Sequence, residues 1–179
     1  MTTFICPHKC CRLVIEPYIV THDKNFFNRV QYCTRKAGVV LYDPSKDKVL
    51  LVQSRAHLWG PPKGTIQYGE SQRQCAVREV KEETGIEINP DSFTKAVNIS
   101  NRAIYFYTET SEIKVGVQSH IVDNDANGVG WIKLDCLQEC VKNGNISLSK
   151  HCQIVLKRLF DMDFVYPVFT TVRRKERKK

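Results

Sequence analysis

Residues 64–86 read GTIQYGESQRQCAVREVKEETGI and form the most informative stretch of the chain. Residues 71–84 contain no glycine or proline, begin with a serine that suits an N-cap, and are followed by Gly85, which suits the position just after a helix. The pattern predicts a helix over 71–84. Small and apolar side chains share one face of it, namely Ala76, Val77, Val80 and Thr84. We expect this face to pack on the core.

Three glutamates, Glu79, Glu82 and Glu83, occupy the adjacent arc of the predicted helix. Carboxylates at these spacings repel one another and destabilise a bare helix by about 0.2–0.5 kcal/mol per pair. A bound cation would offset that cost, and Mg²⁺ binds through a few carboxylates while keeping waters and recruiting substrate phosphates. A solvated acidic helix face is the alternative. The three glutamates alone leave both interpretations open.

The full spacing is more specific than the three glutamates. Gly64, five residues, Glu70, seven residues and then REVKEETGI over 78–86 resemble, without a departure, the Nudix box Gx5Ex7REUxEExGU, where U is a bulky aliphatic residue. The resemblance to Nudix hydrolases implies an α+β fold, an α/β/α sandwich with a mixed sheet and a strand-loop-helix-loop catalytic unit. We expect an N-terminal extension over 1–34, the Nudix domain over 35–165 and a basic tail over 166–179.

The resemblance also implies roles for box residues. In the family the helix glutamates bind Mg²⁺ or Mn²⁺, the first glycine helps through its carbonyl, and the arginine and early glutamate brace the loop. The residues implied to bind metal are Gly64, Glu79, Glu82 and Glu83. Those implied to be structural are Arg78, Glu70 and Gly85, and Arg78 also counts among the catalytic residues. Glu83 is favoured as the general base. Glu82 is a close alternative, because family members differ in how they divide metal binding and proton abstraction.

Many Nudix enzymes add an acidic ligand from a later loop, before a strand that contains tryptophan. That strand resembles residues 128–134 here, and the acids available before Trp131 are Asp123 and Asp125. Asp125 lies six residues ahead of Trp131, where decapping enzymes have glutamate, so we predict it as a metal ligand. The alternative is that both aspartates only shape a polar loop around Gly128.

The residues before the box bear on the substrate. LWGPPKG over 58–64 resembles both the WGFPKG of mRNA-decapping Nudix enzymes and the WxPPKG of animal-type diadenosine tetraphosphate hydrolases. We predict that Lys63 and Arg55 contact substrate phosphate. For Arg55 the alternative is a surface charge at a strand end. Trp59 is a candidate for stacking on a base, and the alternative is packing beneath the loop.

The net charge favours a polyanionic partner. Lys and Arg number 27 against 19 Asp and Glu, which gives a net charge of +8, and residues 173–179 carry six positive charges and one negative. The phosphate chain of a capped RNA lies across the protein surface, so basic residues dispersed over that surface strengthen its binding. A dinucleotide occupies only a compact pocket and does not need them. We therefore expect decapping of 5′-capped mRNA with release of 7-methylguanosine diphosphate, and RNA as a partner.

Several alternatives to decapping remain. Diadenosine tetraphosphate and diphosphoinositol polyphosphates are alternative substrates. An RNA-binding Nudix module without chemistry is the non-enzyme alternative, although such modules usually lose box carboxylates and this chain keeps them all. The chain is also a candidate relative of the compact decapping proteins of large DNA viruses, but no single motif places it among them.

Composition limits the class of protein. The 179 residues suffice for one mid-sized domain, and 42% hydrophobic with 26% charged residues is a globular balance. No apolar run approaches the roughly 18 residues of a membrane-spanning helix. The first residues lack the features of a secretory signal, so we expect a cytoplasmic protein, in the host cytoplasm if the chain is viral.

Cysteines and histidines near the N-terminus suggest a second metal site. The candidate ligands are Cys6, His8, Cys10 and Cys11, with His22 and Cys33 downstream. They would suit structural Zn²⁺, but the spacing fits no familiar zinc pattern, and free, partly buried thiols are the alternative. Cys136 and Cys140, at i and i+4, are interpreted as core residues of a helix. The role of the region before residue 35 stays open among a lid, an added sheet edge and a dock for RNA.

Short strands are mixed with few helices, which independently indicates an α+β class. Strands are predicted over 12–20, 32–42, 49–52, 95–99, 103–108, 113–117 and 129–134. Besides 71–84, helices are predicted over 137–142 and 148–159. Two prolines and two glycines in 57–64 predict a loop there.

Overall fold

A computed structural model describes residues 1–17, 35–54, 57–121 and 124–167. Within these ranges the chain forms ten strands, three α-helices and a short 3-10 helix at Pro90–Ser92. The strands are β1 (Thr2–Ile5), β2 (Arg12–Ile15), β3 (Lys36–Asp43), β4 (Lys48–Ser54), β5 (Leu58–Gly60), β6 (Lys63–Thr65), β7 (Lys95–Ile99), β8 (Ala103–Glu109), β9 (Ala126–Lys133) and β10 (Ser147–Leu148). The helices are α1 (Gln72–Thr84), α2 (Leu134–Lys142) and α3 (Lys150–Phe160). No helix of the described part is long and apolar enough to cross a membrane.

All ten strands belong to one mixed sheet. Its main path runs β1-β2-β9-β4-β3-β8-β7, with β6 paired to β3 and β5 paired to both β4 and β10. The β3–β8 and β5–β10 pairs are parallel, and the other pairs are antiparallel. Strands β3, β4 and β8 are buried along most of their length, because both faces of the sheet are covered.

Two hydrophobic cores lie on the two faces of the sheet. Adjacent residues of one strand enter different cores, as the period of two requires: Leu50 packs in the core beside α1, whereas Leu51 packs in the core beside α2 and α3. Val80 of α1 and Leu137 of α2 are both fully buried. Burial of each such side chain contributes about 1.5–3 kcal/mol. This layering confirms the predicted α+β sandwich.

Helix α1 follows the sequence prediction closely. Ser71 Oγ accepts a hydrogen bond from Gln74 N at 3.2 Å, and Ser71 N donates to Gln74 Oε1 at 2.9 Å, which completes a capping box. At the other end Gly85 has a φ of 77° and its N–H donates to Lys81 O. Glycine adopts this left-handed conformation without steric cost, so the helix ends where the pattern predicts.

The N-terminal hairpin extends the sheet. Strand β2 pairs antiparallel with β9, with Arg12 opposite Trp131 and Val14 opposite Val129. A Cβ at Gly130 would lie 2.7 Å from Arg12 O, so β9 needs glycine where β2 approaches it. Residues 2–15 therefore form an added sheet edge. The proposed division into 1–34, 35–165 and 166–179 otherwise stays a prediction, and residues 168–179 lie outside the described part.

Two predicted elements are wrong. The predicted loop over 57–64 contains the short strands β5 and β6, because Trp59 and Gly60 pair with Gln53 and Val52 and the two prolines fall in the turn between strands. The predicted strand over 113–117 has no sheet pairing. Its backbone is held instead by side chains, since Trp131 Nε1 donates to Ile113 O at 2.9 Å.

Other element boundaries shift by a few residues, as helix and strand ends commonly do. Helix α2 begins at Leu134 instead of 137. Leu134, the last residue of the predicted strand over 129–134, directly follows the end of β9 at Lys133 and is the first residue of the helix. Predicted strand residues 18–20 and 32–34 lie outside the described ranges.

The N-terminal cysteines gather differently from the prediction. The sulfurs of Cys6, Cys10, Cys11 and Cys136, the cysteine cluster, all lie within 4.8 Å of one another. Cys136 and Cys140 both pack in the core, as predicted, and the sulfur of Cys136 also joins the cluster, which its spacing does not predict. His8 is absent from the cluster, because its Nε2 lies 2.6 Å from Glu139 Oε2. His22 and Cys33 lie outside the described residues.

Candidate active site

Glu79, Glu82 and Glu83, the carboxylate cluster, lie on α1 beside strand β6. A Cβ at Gly64 of β6 would collide with the carboxylate of Glu79. Any other residue at 64 would therefore push Glu79 away from the strand. The first glycine of the box is needed so that a carboxylate can lie directly against the backbone of β6.

Arg78 braces the loop that leads into α1. Its Nε and Nη2 donate to Glu70 Oε1 and Oε2 at 2.8 and 2.9 Å, a bidentate pair, and Nη2 also donates to Thr65 O at 3.2 Å. The hydrogen bonds from Arg78 hold the pKa of Glu70 below its usual range. The same carboxylate raises the pKa of Arg78, so the guanidinium stays charged. The bracing role implied for Glu70 and Arg78 is consistent with this geometry.

The same guanidinium reaches the carboxylate cluster. Arg78 Nη1 donates to Glu79 Oε1 at 2.6 Å and to Glu82 Oε2 at 2.9 Å. Burial raises the pKa of Glu79, Arg78 lowers it, and the nearby charges of Glu82 and Asp125 raise it again. One cation therefore faces several carboxylates, and their mutual repulsion is only partly offset.

Glu83 is the most buried member of the cluster. Its side chain is 3% exposed, and Oε2 accepts a hydrogen bond from Lys63 N at 2.8 Å. Among the described residues, Oε1 is buried without a hydrogen-bond partner. Burial raises the pKa of Glu83 to about 8, with Lys63 lowering it and Glu79 and Asp125 raising it. A buried carboxylate oxygen that lacks a partner is costly, and a cation would remove that cost.

These features fit a hard divalent cation. The donor set consists of carboxylate oxygens, which Mg²⁺ and Mn²⁺ prefer, and it includes an oxygen of Glu83 with no other partner in the described part. The carbonyl oxygen of Gly64 accepts a hydrogen bond from Cys75 Sγ at 3.7 Å. Metal binding by Gly64, Glu79, Glu82 and Glu83 stays a prediction, and the chemistry of the donor set supports it.

A later loop brings Asp125 to the site. Asp125 is exposed, directly precedes β9, and lies close enough that its charge raises the pKa of both Glu79 and Glu83. Its neighbour Asn124 fixes the loop, because Asn124 Nδ2 donates to Glu82 O at 3.0 Å and Oδ1 accepts from Ala126 N at 2.9 Å. Sequence reasoning missed Asn124, since no local pattern links residue 124 to the end of α1. Asp123 lies outside the described residues.

Positive charge borders the cluster on the other side. The ammonium group of Lys63 acts on Glu83 and also on His151 of α3. Burial lowers the pKa of His151, and Lys63, Lys36 and Arg102 lower it further. Tyr105 OH lies 3.2 Å from His151 Nδ1. Contact of Lys63 with substrate phosphate stays a prediction. Sequence reasoning missed His151 of α3 and Arg102 of the turn before β8.

Two predicted substrate contacts have different outcomes. Arg55 lies outside the described residues. Trp59 is 3% exposed and packs in the core beside α2 and α3, which agrees with packing beneath the loop. Base stacking on Trp59 stays a prediction, and its buried position does not support it.

Comparison with known proteins agrees with the box. The NUDIX domain model matches residues 34–150. Protein 111R of Invertebrate iridescent virus 3, named as a hydrolase, is 36% identical over 142 residues, which cover 76% of this chain and 80% of that protein. Among solved structures, the Escherichia coli dihydroneopterin triphosphate pyrophosphohydrolase has a TM-score of 0.53 at 18% identity, and the match covers 70% of this chain and 94% of that one.

Two further relatives carry different names. The mRNA decapping complex subunit 2 of Schizosaccharomyces pombe is 39% identical over 80 residues, or 40% of this chain and only 11% of that protein. The asymmetrical bis(5′-nucleosyl)-tetraphosphatase of Mus musculus is 30% identical over 120 residues, or 56% of this chain and 80% of that protein. Because the domain match spans more than half of the sequence and the viral relative is similar over most of its length, the chain belongs to the Nudix family of pyrophosphohydrolases.

Proposed function

We propose that this enzyme decaps 5′-capped RNA and releases 7-methylguanosine diphosphate. The observation that carries the proposal is the pairing of a carboxylate cluster with a positively charged border, in which Lys63 donates its N–H to Glu83 and its charge acts on both Glu83 and His151. The carboxylates suit a metal beside a pyrophosphate. The border suits a phosphate chain that continues past the reacting bond.

Metal binding is assigned to the carbonyl of Gly64 and the side chains of Glu79, Glu82 and Glu83, with Asp125 as an added ligand. Mg²⁺ or Mn²⁺ bound there supplies positive charge that acidifies water and neutralises phosphate oxygens. Arg78 positions Glu79 and Glu82 through its paired hydrogen bonds. The protein's own task is then to place water, take its proton and hold the phosphates.

Glu83 is the proposed general base. One oxygen of Glu83 is fixed by Lys63 N, and in the described part the other oxygen has no hydrogen-bond partner. That second oxygen would take the proton of the attacking water when the metal is held mainly by Glu79 and Glu82. A bond forms between the water oxygen and phosphorus, and the bridging P–O bond breaks. Its electron pair leaves with the 5′-phosphate of the RNA, so the products are 7-methylguanosine diphosphate and 5′-monophosphorylated RNA. Glu82 is the alternative base.

Three further observations support capped RNA as the substrate. The motif over 58–64 is similar to that of decapping enzymes, a decapping subunit is 39% identical over 80 residues, and the net charge is +8. Lys36 and Arg102 extend the positive border beyond Lys63. RNA as a partner and a cytoplasmic location belong to the same proposal.

Diadenosine tetraphosphate is the second candidate substrate. The two prolines before Lys63 match the tetraphosphatase form of the motif, and the mouse tetraphosphatase is similar over 80% of its own length. A dinucleotide would need Lys63 but no extended basic surface. The two candidates therefore differ in their dependence on charge outside the pocket.

A direct comparison of substrates tests the proposal. Capped RNA, diadenosine tetraphosphate and a diphosphoinositol phosphate are offered separately with Mg²⁺ or Mn²⁺, and the products are identified by mass. We expect 7-methylguanosine diphosphate from capped RNA at the highest kcat/KM, with cleavage that falls steeply as salt is added. Salt-insensitive cleavage of the dinucleotide with capped RNA untouched would reverse the choice.

A tail deletion gives the matched control. Removal of residues 173–179, which carry six positive charges and one negative, should weaken RNA binding more than it slows dinucleotide turnover. The Glu82→Gln/Glu83→Gln variant reports contaminating hydrolases in every arm. Equal effects of the deletion on both substrates would argue against a role for the tail in RNA binding.

A further inference from the structure

The cysteine cluster lies apart from the active site. Cys6 and Cys11 flank the turn of the β1–β2 hairpin, Cys10 lies within that turn, and Cys136 lies in the first turn of α2. Cys6, Cys11 and Cys136 are 2–4% exposed, and Cys10 is exposed. The side chains of Cys6, Cys11 and Cys136 pack in the core beside α2 and α3, on the face of the sheet opposite α1. The hydrolytic chemistry uses none of them.

We propose that Cys6, Cys10, Cys11 and Cys136 bind one structural Zn²⁺ ion. Four sulfurs from two distant segments lie within 4.8 Å of one another, which matches the number and type of ligands in a closed zinc site. The site would fasten the N-terminal hairpin to α2. This inference does not depend on the proposed substrate.

The distances between sulfurs match a metal site. Cys10 Sγ lies 3.7 Å from Cys6 Sγ, 3.6 Å from Cys11 Sγ and 3.5 Å from Cys136 Sγ. A tetrahedron with Zn–S bonds of about 2.3 Å has sulfur–sulfur edges of about 3.8 Å. A disulfide needs about 2.05 Å, so no pair around Cys10 is bonded. Small movements of the side chains would complete the tetrahedron.

Backbone groups already serve two of the sulfurs. Cys11 N donates to Cys6 Sγ at 3.3 Å, and Lys133 N donates to Cys11 Sγ at 3.2 Å. Hydrogen bonds of this kind stabilise the thiolate form, which is the form that binds metal. Cys136 lies in the first turn of α2, where burial raises the pKa of its thiol, so metal binding would displace its proton.

The chain turns sharply to bring the cysteines together. Lys9 has a φ of 59°, and its N–H donates to Cys6 O at 2.9 Å, while Cys6 N donates to Cys11 O at 3.1 Å. The turn folds Cys10 and Cys11 back toward Cys6. The pairing of β2 with β9 then places Cys11 beside the start of α2, where Cys136 completes the set. A core of unligated thiols would not require all four sulfurs to converge.

Metal analysis tests the site on the 179-residue chain without an affinity tag. Zinc and iron are measured in protein purified without added metal, and we expect one zinc per chain. The matched control is Cys140→Ala, because Cys140 is equally buried one turn further along α2 but lies outside the cluster. Cys140→Ala and Glu82→Gln/Glu83→Gln should keep the zinc, and Cys10→Ser with Cys136→Ser should lose it.

Cobalt provides a readout that does not depend on activity. Metal-free protein titrated with Co²⁺ should develop the intense absorption of tetrahedral cobalt thiolate at one equivalent, whereas oxygen ligands at α1 give only weak bands. Cys10→Ser should abolish that absorption. Since Cys10 is exposed, this variant keeps its fold even where Cys136→Ser does not. Stoichiometric iron, zinc retained by Cys10→Ser/Cys136→Ser, absence of zinc from the wild type, or a disulfide in anaerobically purified protein would each overturn the proposal.

Discussion

The carboxylate cluster and the cysteine cluster are built in opposite ways. The carboxylates come from about one and a half turns of α1, and residues three or four positions apart on a helix lie near one another in space. Their proximity therefore follows from the sequence alone. The cysteines come from residues 6–11 and residue 136, and only the register between β2 and β9 brings them together. A site made of residues close together in the sequence can be predicted from the sequence, whereas a site that strand pairing brings together can be found only once the fold is known.

The two clusters also differ in ligand chemistry. Carboxylate oxygens, with Arg78 as a competing partner, suit an ion that exchanges with solvent and substrate. Four thiolates, three of them buried, suit an ion that stays for the life of the protein. The sheet would then separate a reactive metal from a structural one.

Chelation gives the largest expected contrast between the clusters. Brief treatment with EDTA should abolish hydrolysis, because ions at the carboxylate cluster exchange readily, and addition of Mg²⁺ or Mn²⁺ should restore it. The zinc content per chain should not change in the same samples, since thiolate sites bind far more tightly. Metal analysis and turnover are measured together. Loss of zinc in step with activity would contradict the separation of the two sites.

Glu83→Gln is expected to reduce kcat at least about 10²-fold, because the variant keeps the shape of the side chain but cannot accept a proton. The melting temperature should stay near that of the wild type or rise. Glu87→Gln is the matched control, since Glu87 is exposed and pairs only with Lys81 in the described part. Near wild-type turnover in Glu82→Gln/Glu83→Gln would refute the assignment of both glutamates.

Asn124→Ala tests how the later loop is held at the carboxylate cluster. The substitution removes the hydrogen bonds of Asn124 with Glu82 O, Gln118 O and Ala126 N. If the placement of Asp125 loses the equivalent of one hydrogen bond, about 0.5–1.5 kcal/mol, kcat/KM should fall about 2- to 12-fold. Asn98→Ala, an exposed change on β7, is the control. If Asn124→Ala lowers the melting temperature but leaves kcat/KM unchanged, Asn124 has only a structural role.

The smallest expected effect is a dependence of stability on pH. Burial raises the pKa of Glu83 from 4.5 to about 8 in the folded chain, so the folded state binds more protons than the unfolded state between these values. Stability in the presence of chelator should therefore fall as the pH rises from 4.5 to 8. The melting temperature should fall less with rising pH in Glu83→Gln than in the wild type, and across this range the difference should be at least about 2–4 °C. Equal slopes would contradict the buried carboxyl.

Sequence reasoning located the carboxylate cluster because its parts are contiguous. Ser71 and Gly85 mark the two ends of α1, and the glutamates follow the helix periodicity between them. All of these residues lie where the sequence predicts them. Gly64 was implied only by family resemblance. Its physical reason, the close approach of the Glu79 carboxylate, needs the position of β6 relative to α1.

The failures of sequence reasoning share a cause. Ile113, Val115 and Val117 alternate like a strand, yet Ile113 O accepts from an indole and the segment gains no strand partner. Cys136 packs in the core as its spacing predicts, but the spacing gave no sign that its sulfur joins residues 125 or more positions away. Asn124 likewise contacts α1 from a distant loop. Long-range partners leave no mark in a window of ten or fifteen residues.

Anomalous diffraction from crystals soaked in Mn²⁺ tests the central claim most directly. The account predicts a manganese peak beside α1, within coordinating distance of Glu79, Glu82 and Glu83, and no manganese peak at the cysteine cluster. A well-ordered α1 with no manganese beside it would contradict the catalytic assignment.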